Sequence, residues 1–400
     1  MSAAIVTILL LAGAGVGFVV ATRANHPAPT ATGSRRTKTH SSTPSTGHPT
    51  ISSPTTPKPS ATSPAPVVVP GPSYTTSGNQ ILANGTAFVP YGITVFGLSY
   101  REWQSRLAGD EAQIDATAQT WHGNTIRIQV APADLLDAHP YDSAFLNAIR
   151  TEVSRAQQDG MNVILTAQDE RTTKIPMPDE AVARFWSILA PMYAGDPAVW
   201  FDLFNEPRLG GANVPPTSPI WNVWQNGGQK YVGMQSLINE VRRYASNVIL
   251  VEGLAKAETL SGLPSHPLTG SNLVYAVHPY FSLPRWSTSA GWNKNWGDIS
   301  EQVPVVVDEW GEYERSGGNC KPDAPRLVPK FLAYLSARNI GLIAWSLEPG
   351  VLVVNGNLGA PTSFSPGVPF LCQDGAGIRN GQGAGASILS YFEANSHPVP

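Results

Sequence analysis

Trp200-Phe-Asp-Leu-Phe-Asn-Glu-Pro207 and Val305-Val-Val-Asp-Glu-Trp-Gly311 are apolar runs of strand length, and each delivers a carboxylate where it stops: Glu206 in the first, Glu309 in the second. A buried strand is a costly place for a carboxylate unless a partner holds it. Around these two runs lie others of the same kind, over 90–97, 124–130, 162–168, 247–251, 273–278 and 341–346. With 199–205 and 304–309 they make eight strands. Between them the clearer helical stretches are Asp110 to Trp121, Ser143 to Asp159, Pro178 to Tyr193, Gln225 to Tyr244 and Pro325 to Arg338, with Ala384 to Ala394 as a last helix. Strands alternating with helices imply a parallel sheet, and eight such repeats predict a (β/α)8 barrel. A doubly wound open sheet is the competing arrangement. No glycine-rich phosphate loop follows the first strand, which weakens its nucleotide-binding version.

Barrel strands present functional groups at their C-terminal ends, where Glu206 and Glu309 both fall. Alternation along the strand puts Asp202 on the side of Glu206 but four residues deeper, as a structural charge. Asp308 has the opposite parity to Glu309 and is expected to point toward the helices.

Ahead of the barrel, Gly78-Asn-Gln-Ile-Leu-Ala-Asn-Gly-Thr-Ala-Phe-Val89 reads as a hairpin turning at Asn84-Gly85. Residues 25–72 are Pro, Ser and Thr with almost no large apolar side chain, a composition that predicts a disordered stalk. Residues 3–22 carry no charge and are long enough to span a bilayer. Residues 1–24 therefore read as a signal peptide or a membrane anchor, Val19-Val20-Ala21 offering a small-residue cleavage site. Either reading places residues 73–400 outside the cell, free or tethered. Of the residues, 14% are charged and the net charge is −3. No basic patch stands out, so nucleic acid is not an expected partner. The two cysteines, Cys320 and Cys372, are an even pair in a chain read as exported, which suggests one disulfide. No His/Cys/Asp grouping has metal-ligand spacing, no cofactor is expected, and no Gly-x-Ser-x-Gly turn sits between a strand and a helix.

Paired carboxylates at the mouth of a barrel suit acetal cleavage, where an acid protonates the leaving oxygen and an anion faces the anomeric carbon. Asn205-Glu206-Pro207, His278-Pro279-Tyr280, Glu309-Trp310-Gly311 and Trp345 within Ile343-Ala-Trp-Ser346, in that order and each at a predicted strand end, resemble glycoside hydrolase family 5. The resemblance covers about residues 74–395, and the opening hairpin followed by Tyr91-Gly-Ile-Thr-Val-Phe-Gly97 adds to it. It implies a retaining β-glycosidase of the (β/α)8 clan. It makes Glu206 the acid/base, Glu309 the nucleophile, Asn205 a ligand of the sugar 2-hydroxyl and Arg127 the support of the nucleophile. It also gives Tyr280 a hydrogen bond to Glu309, places His278 along the cleft and sets Trp345 under the sugar.

One departure concerns the end of strand three, where the family usually has a His. Here Val163-Ile-Leu-Thr-Ala-Gln-Asp169 places Gln168, which can hydrogen-bond a hydroxyl but cannot titrate near neutrality. Trp310 is expected beside the substrate; Trp221, Trp224, Trp286, Trp292 and Trp296 stand equally between core and sugar contact. Asp169 and Glu170 are weighed as substrate contacts, Glu312 and Glu314 as solvated. The expected protein is a monomer acting on polysaccharide, most simply a β-1,4-glucan, with mannan or another β-glycan as rivals. A transglycosylase would share every residue; a barrel that binds carbohydrate without turnover is the reading from another class.

Overall fold

The computed structural model describes residues 72–168, 175–211, 214–281, 286–311, 324–348, 351–353, 356–357, 360–361, 364–366, 368–369 and 382–397. The apolar run 3–22, the Pro/Ser/Thr segment to Gly71, both cysteines, Asp169, Glu170, Glu312 and Glu314 lie outside the described residues. Among the described residues, no helix is long and apolar enough to cross a membrane.

Three short antiparallel strands come first: β1 (Tyr74–Ser77), β2 (Gln80–Ala83) and β3 (Thr86–Phe88), the last two joined at Asn84-Gly85 as predicted. Then come β4 (Tyr91–Val95), β5 (Thr125–Val130), β6 (Asn162–Ala167), β7 (Val199–Asp202), β8 (Ile249–Glu252), β9 (Leu273–Val277), β10 (Val305–Trp310) and β11 (Gly341–Ala344). Each pairs in parallel with the next, and β11 returns to β4, closing an eight-stranded barrel. This is the predicted (β/α)8 barrel, with every strand within a few residues of its expected place. The strands are buried on both faces, which is why they read as nearly continuous apolar runs.

Alternation sorts the side chains into two cores. Outward residues such as Ile126, Ile128, Val163, Leu165, Phe201 and Val277 pack against the helices. Inward residues Ile164, Trp200, Leu250, Val274, Val306 and Ile343 fill the barrel, closed from below by Tyr74, Ile81 and Phe88 of the opening strands. Tyr74 meets Trp200 edge-on at 5.0 Å between ring centroids, and Phe88 at 5.2 Å.

Asp142 and Asp179 begin the helices Ser143–Gln158 and Glu180–Tyr193, each accepting two backbone N–H groups at the N-terminus. The stretch Gln225 to Tyr244 is not one helix. It divides into Ile220–Asn226 and Met234–Arg242, because Gly227 takes a left-handed φ of +81° and a Cβ there would meet the Tyr231 carbonyl at 2.6 Å. All five loop tryptophans weighed for sugar contact are buried. Trp224 instead donates its ring N–H to the Glu252 carbonyl at 2.9 Å. Trp186 does the same for Leu203, so two helices pin the ends of strands that carry polar groups upward.

Candidate active site

At the C-terminal mouth, strand alternation should bring polar groups inward where the apolar layers stop. Arg127 and Gln129, two residues apart on β5, both point into the barrel. The Arg127 guanidinium is wholly buried and donates to Asn205 at 2.7 Å, Glu309 at 3.0 Å, Asp202 at 3.0 Å and Glu252 at 3.1 Å; its Nε lies 3.5 Å from Asp308. Burial opposes its charge, but Asp308, Asp202, Glu309 and Glu252 together hold its pKa above the ordinary value. Arg127 therefore both braces Glu309 and offsets Asp202, the deep charge expected there. The Asp202 carboxyl is pushed well above the usual carboxylate range by burial and by its neighbours Glu252 and Asp308, against the pull of Arg127.

Glu309 is half of a local irregularity. From Val307 to Trp310, β10 advances three residues while β11 advances two, from Leu342 to Ala344. The extra residue is a bulge, and bulges re-aim side chains. Val306 points inward, so Asp308 does too, and the bulge turns Glu309 into the site beside it. The expectation that Asp308 faces the helices is thus corrected: its Oδ1 lies 3.2 Å from His278 Nε2. Trp310 is corrected as well. The bulge sends it outward, fully buried against Phe331 and Phe281 at 4.7 and 5.4 Å, where it cannot meet substrate.

Glu309 accepts from Arg127 on Oε2, from Gln129 on the same oxygen at 3.1 Å, and from the Tyr280 hydroxyl on Oε1 at 3.1 Å. Its pKa is raised by burial, with Glu206 and Glu252 adding, against the opposing charges of His278 and Arg127. Asn205 is buried, and its Oδ1 is fixed by Arg127 and by Gln129 at 3.3 Å, which turns the amide NH2 elsewhere. Glu206 follows in a left-handed conformation, φ +54°, rare for a residue with a side chain and typical of positions held for a purpose. Its N–H donates to Glu252 Oε2 at 2.5 Å, which fixes the turn. The Glu206 side chain is 23% exposed, against 8% for Glu309. Burial raises its pKa, but His278, Lys256 and Arg127 outweigh that and leave it lowered.

His278 is buried at the centre of the acids. Nδ1 lies 3.5 Å from Glu206 and 3.8 Å from Glu309; Nε2 lies 3.3 Å from Glu252 and 3.2 Å from Asp308. Burial opposes its protonation, but Glu252, Glu309 and Asp308 raise its pKa well above the ordinary value. One atom each of Glu206, His278 and Glu309 lie within 4.8 Å of one another, as do atoms of Glu252, His278 and Asp308. Trp345, partly buried, stacks on Phe96 at 4.6 Å between centroids, which fixes its ring at the mouth. Gln168 sits at the end of β6, its N–H bonded to Val130 at 2.8 Å.

Three residues here were not singled out from the sequence: Gln129, Glu252 and Lys256. Glu252 had a signal, since Asn247-Val-Ile-Leu-Val-Glu252 is another apolar run ending on a carboxylate. Lys256 had none. It lies in Leu254–Ala257, where Ala255, Lys256 and Ala257 all have positive φ, +58°, +62° and +58°. Each such residue costs about 1–2 kcal/mol. The turn is held by Lys256 N–H to Pro207 at 2.9 Å, His278 N–H to Ala257 at 3.0 Å, and paired bonds between Leu254 and Thr259.

Two carboxylates facing each other across the C-terminal mouth of a (β/α)8 barrel, one among donors and one toward solvent, are the equipment of a glycoside hydrolase. The family model described as cellulase (glycosyl hydrolase family 5) matches residues 81–350, and the chain belongs to that family. Among solved structures it is similar to a β-glucanase from Saccharophagus degradans, also solved with cellotetraose, at 22% identity over 69% of this chain and 84% of that one, TM-score 0.57. It is also similar to the catalytic domain of an endoglucanase from Thermobifida fusca, at 18% identity over 80% and 97%, TM-score 0.59. These likenesses bear on the fold. No curated protein sequence matches the chain.

Proposed function

We propose that this glycoside hydrolase cleaves β-1,4-linked glucan internally, by double displacement with retention, with Glu309 as nucleophile and Glu206 as acid/base. The observation that carries the mechanism is that oxygens of Glu206 and Glu309 approach within 4.8 Å. Retaining enzymes hold their carboxyls about 5–5.5 Å apart and inverting ones about 6.5–9.5 Å, the wider gap admitting water. In the first step a Glu309 oxygen bonds to the anomeric carbon as the glycosidic bond breaks, and Glu206 gives its proton to the leaving oxygen. In the second, ionised Glu206 takes a proton from water, whose oxygen bonds to the anomeric carbon and releases Glu309. Asn205 would hold the sugar 2-hydroxyl and Trp345 would lie under the ring. Tyr280, Arg127 and Gln129 would hold Glu309 in its ionised form, and His278 would hold Glu206.

In the free site the pKa directions place the first proton toward Glu309, whereas the first step needs it on Glu206. A bound sugar reverses this. The positive charge developing at the anomeric carbon favours ionised Glu309, and the leaving sugar shields Glu206 from water. The glucan preference rests on the cellulase family, and on the cellotetraose bound by two of the similar structures. We also propose that residues 3–22 export the chain, that 25–72 form a stalk, and that Cys320 pairs with Cys372.

The test incubates the full chain with β-glucan, mannan, xylan and xyloglucan and assays new reducing ends, with Glu206→Gln as control. Release from β-1,4-glucan as mixed oligomers, absent in the control, is expected; proton NMR of the first products should show the β-anomer. Release from mannan alone would replace the substrate, an α-anomer would replace the mechanism, and binding without release would make the barrel a carbohydrate-binding protein.

A further inference from the structure

The Lys256 side chain is 60% exposed, yet its Nζ lies 3.7 Å from Glu206 Oε2, the oxygen on the far side from His278. Nothing in the two-carboxylate chemistry asks for a lysine there. A freely rotating surface lysine would not require three successive left-handed residues to present it. The backbone of this turn is bonded on one side to Pro207, directly after Glu206, and on the other to His278. The ammonium is thus carried by the same scaffold that sets the carboxylate.

Among the described residues, four charged groups besides Lys256 act on Glu206. His278 approaches Oε1 from the end of β9, Glu252 of β8 accepts the Glu206 N–H, and Glu309 faces it from β10. Arg127 acts from β5 through its charge. All four are buried and fixed. Lys256 is the exposed member, so it is the one whose removal leaves the buried charge arrangement intact.

We propose that Lys256 is a positioning residue acting through Glu206: its ammonium, delivered by the left-handed turn 255–257, holds the ionised carboxylate toward the leaving-group side and sets the alkaline limit of hydrolysis. Its effect on the two half-reactions is opposite in sign. Ionised Glu206 is what the second step needs as a base, while the first needs Glu206 protonated. Lys256 therefore shortens the pH range over which the first step runs and favours the state that activates water. This rests on Glu206 being the acid/base.

The test reads the pH dependence of kcat, which reports the groups of the enzyme–substrate complex, where the bound sugar returns the proton to Glu206, in the full chain and in Lys256→Met, Lys256→Asn and Lys256→Arg. Two substrates are used: a soluble cello-oligosaccharide, whose leaving group must be protonated, and a 2,4-dinitrophenyl cellobioside, whose leaving group need not be. On the oligosaccharide, Lys256→Met should move the alkaline midpoint up by about half a pH unit, the scale of an exposed ion pair. Lys256→Arg should restore it. Lys256→Asn repeats the charge loss with a residue that accepts left-handed backbone, so an unfolded Met variant does not remove the test. On the dinitrophenyl substrate no shift should accompany the loss of Lys256. An unmoved midpoint on the oligosaccharide, or an equal shift on both substrates, overturns the inference. Glu206→Gln separates the levels: in kcat/KM, which reads the first step alone, it should impair the oligosaccharide far more than the dinitrophenyl substrate. Equal impairment would remove the acid/base role itself, and the inference with it.

Discussion

The lower and upper halves of this barrel are built from the same strands and follow opposite rules. Below, Trp200, Leu250, Val274, Val306 and Ile343 meet Tyr74, Ile81 and Phe88 in a dry, apolar plug. Above, Arg127 and His278 are set among Asp202, Glu206, Glu252, Asp308 and Glu309, five carboxyl groups around a guanidinium and an imidazole. On β7 the change takes two residues, from Trp200 to Asp202. The lower layer holds the barrel closed; the upper one spends stability on fixed charges, which cost more to bury than apolar groups of the same size. Substitutions in the two halves should therefore separate cleanly, one in stability and the other in rate.

The largest separation is expected at Glu309. Glu309→Gln should lower kcat by on the order of 10⁴-fold or more, the scale lost when a covalent nucleophile is removed. Its effect on stability should have the opposite sign. A carboxyl whose folded pKa is raised contributes stability below its unfolded pKa, and that contribution is lost as pH rises through the folded value. At neutral pH ionised Glu309 is thus a cost, and Glu309→Gln should melt higher than the parent, by a margin that grows as pH rises from the unfolded value through the folded one and is constant above it. Calorimetry across pH checks this, and a lower melting temperature at neutral pH would contradict it.

In the lower half, Trp200→Ala should destabilise the protein by about 3–5 kcal/mol, the cost of emptying a large buried aromatic site. Urea unfolding measures the loss, and kcat of the folded protein should be retained. A large fall in kcat with little loss of stability would mean that the two halves are not separable.

Much of this contrast is legible in the sequence, and the limits are physical. Buried parallel strands are apolar throughout, so eight runs stood out, and the hairpin was marked by Asn84-Gly85. Glu206 and Glu309 were visible because a charge ending such a run is improbable without a use. The same logic reaches Glu252 once β8 is extended by one residue. Asp308 was misread because a bulge has no local signature: one extra residue between Val307 and Trp310 reverses the inward and outward assignment of everything after it, and Trp310 was misplaced by the same step. Gln129 was hidden because an inward polar residue within a strand looks like any interruption of a run. The turn at Lys256 was invisible because Ala-Lys-Ala favours a right-handed helix, and bonds to Pro207, from His278 and between Leu254 and Thr259 hold it otherwise.

Glu252 tests whether the upper half acts as one unit. Its two oxygens serve Arg127 and the Glu206 N–H, so Glu252→Gln should loosen both the nucleophile's brace and the acid/base turn. A fall in kcat of about 10–100-fold is expected, the range for a displacement of roughly an ångström at the chemistry. An unchanged kcat, with the Glu206 turn intact in a structure of the variant, would show Arg127 alone sufficient.

The smallest effect falls outside both halves. Asp110, on the helix Leu107–Gln119, and Glu152, on Ser143–Gln158, are both buried and shift each other's titration. Burial is the main cause of the Asp110 shift, opposed by the Gly97 N–H and Arg106, and the carboxyl is pushed up to about 7 from an ordinary 3.8. Glu152 is raised well above the usual carboxylate range, by burial first and then by Asp110. The stabilising contribution of protonated Asp110 is present below the unfolded value and is lost as pH rises through about 7. Asp110→Asn can keep the bond from Gly97 and still donate to Glu152, now without a proton to lose. Its melting temperature should match the parent near pH 4 and exceed it by about 2–4 °C at pH 8. Equal pH slopes for the two proteins would mean that Asp110 is already ionised at pH 4 in the folded state, and that this acid pair, like the one in the barrel, is held by positive charge rather than by a proton.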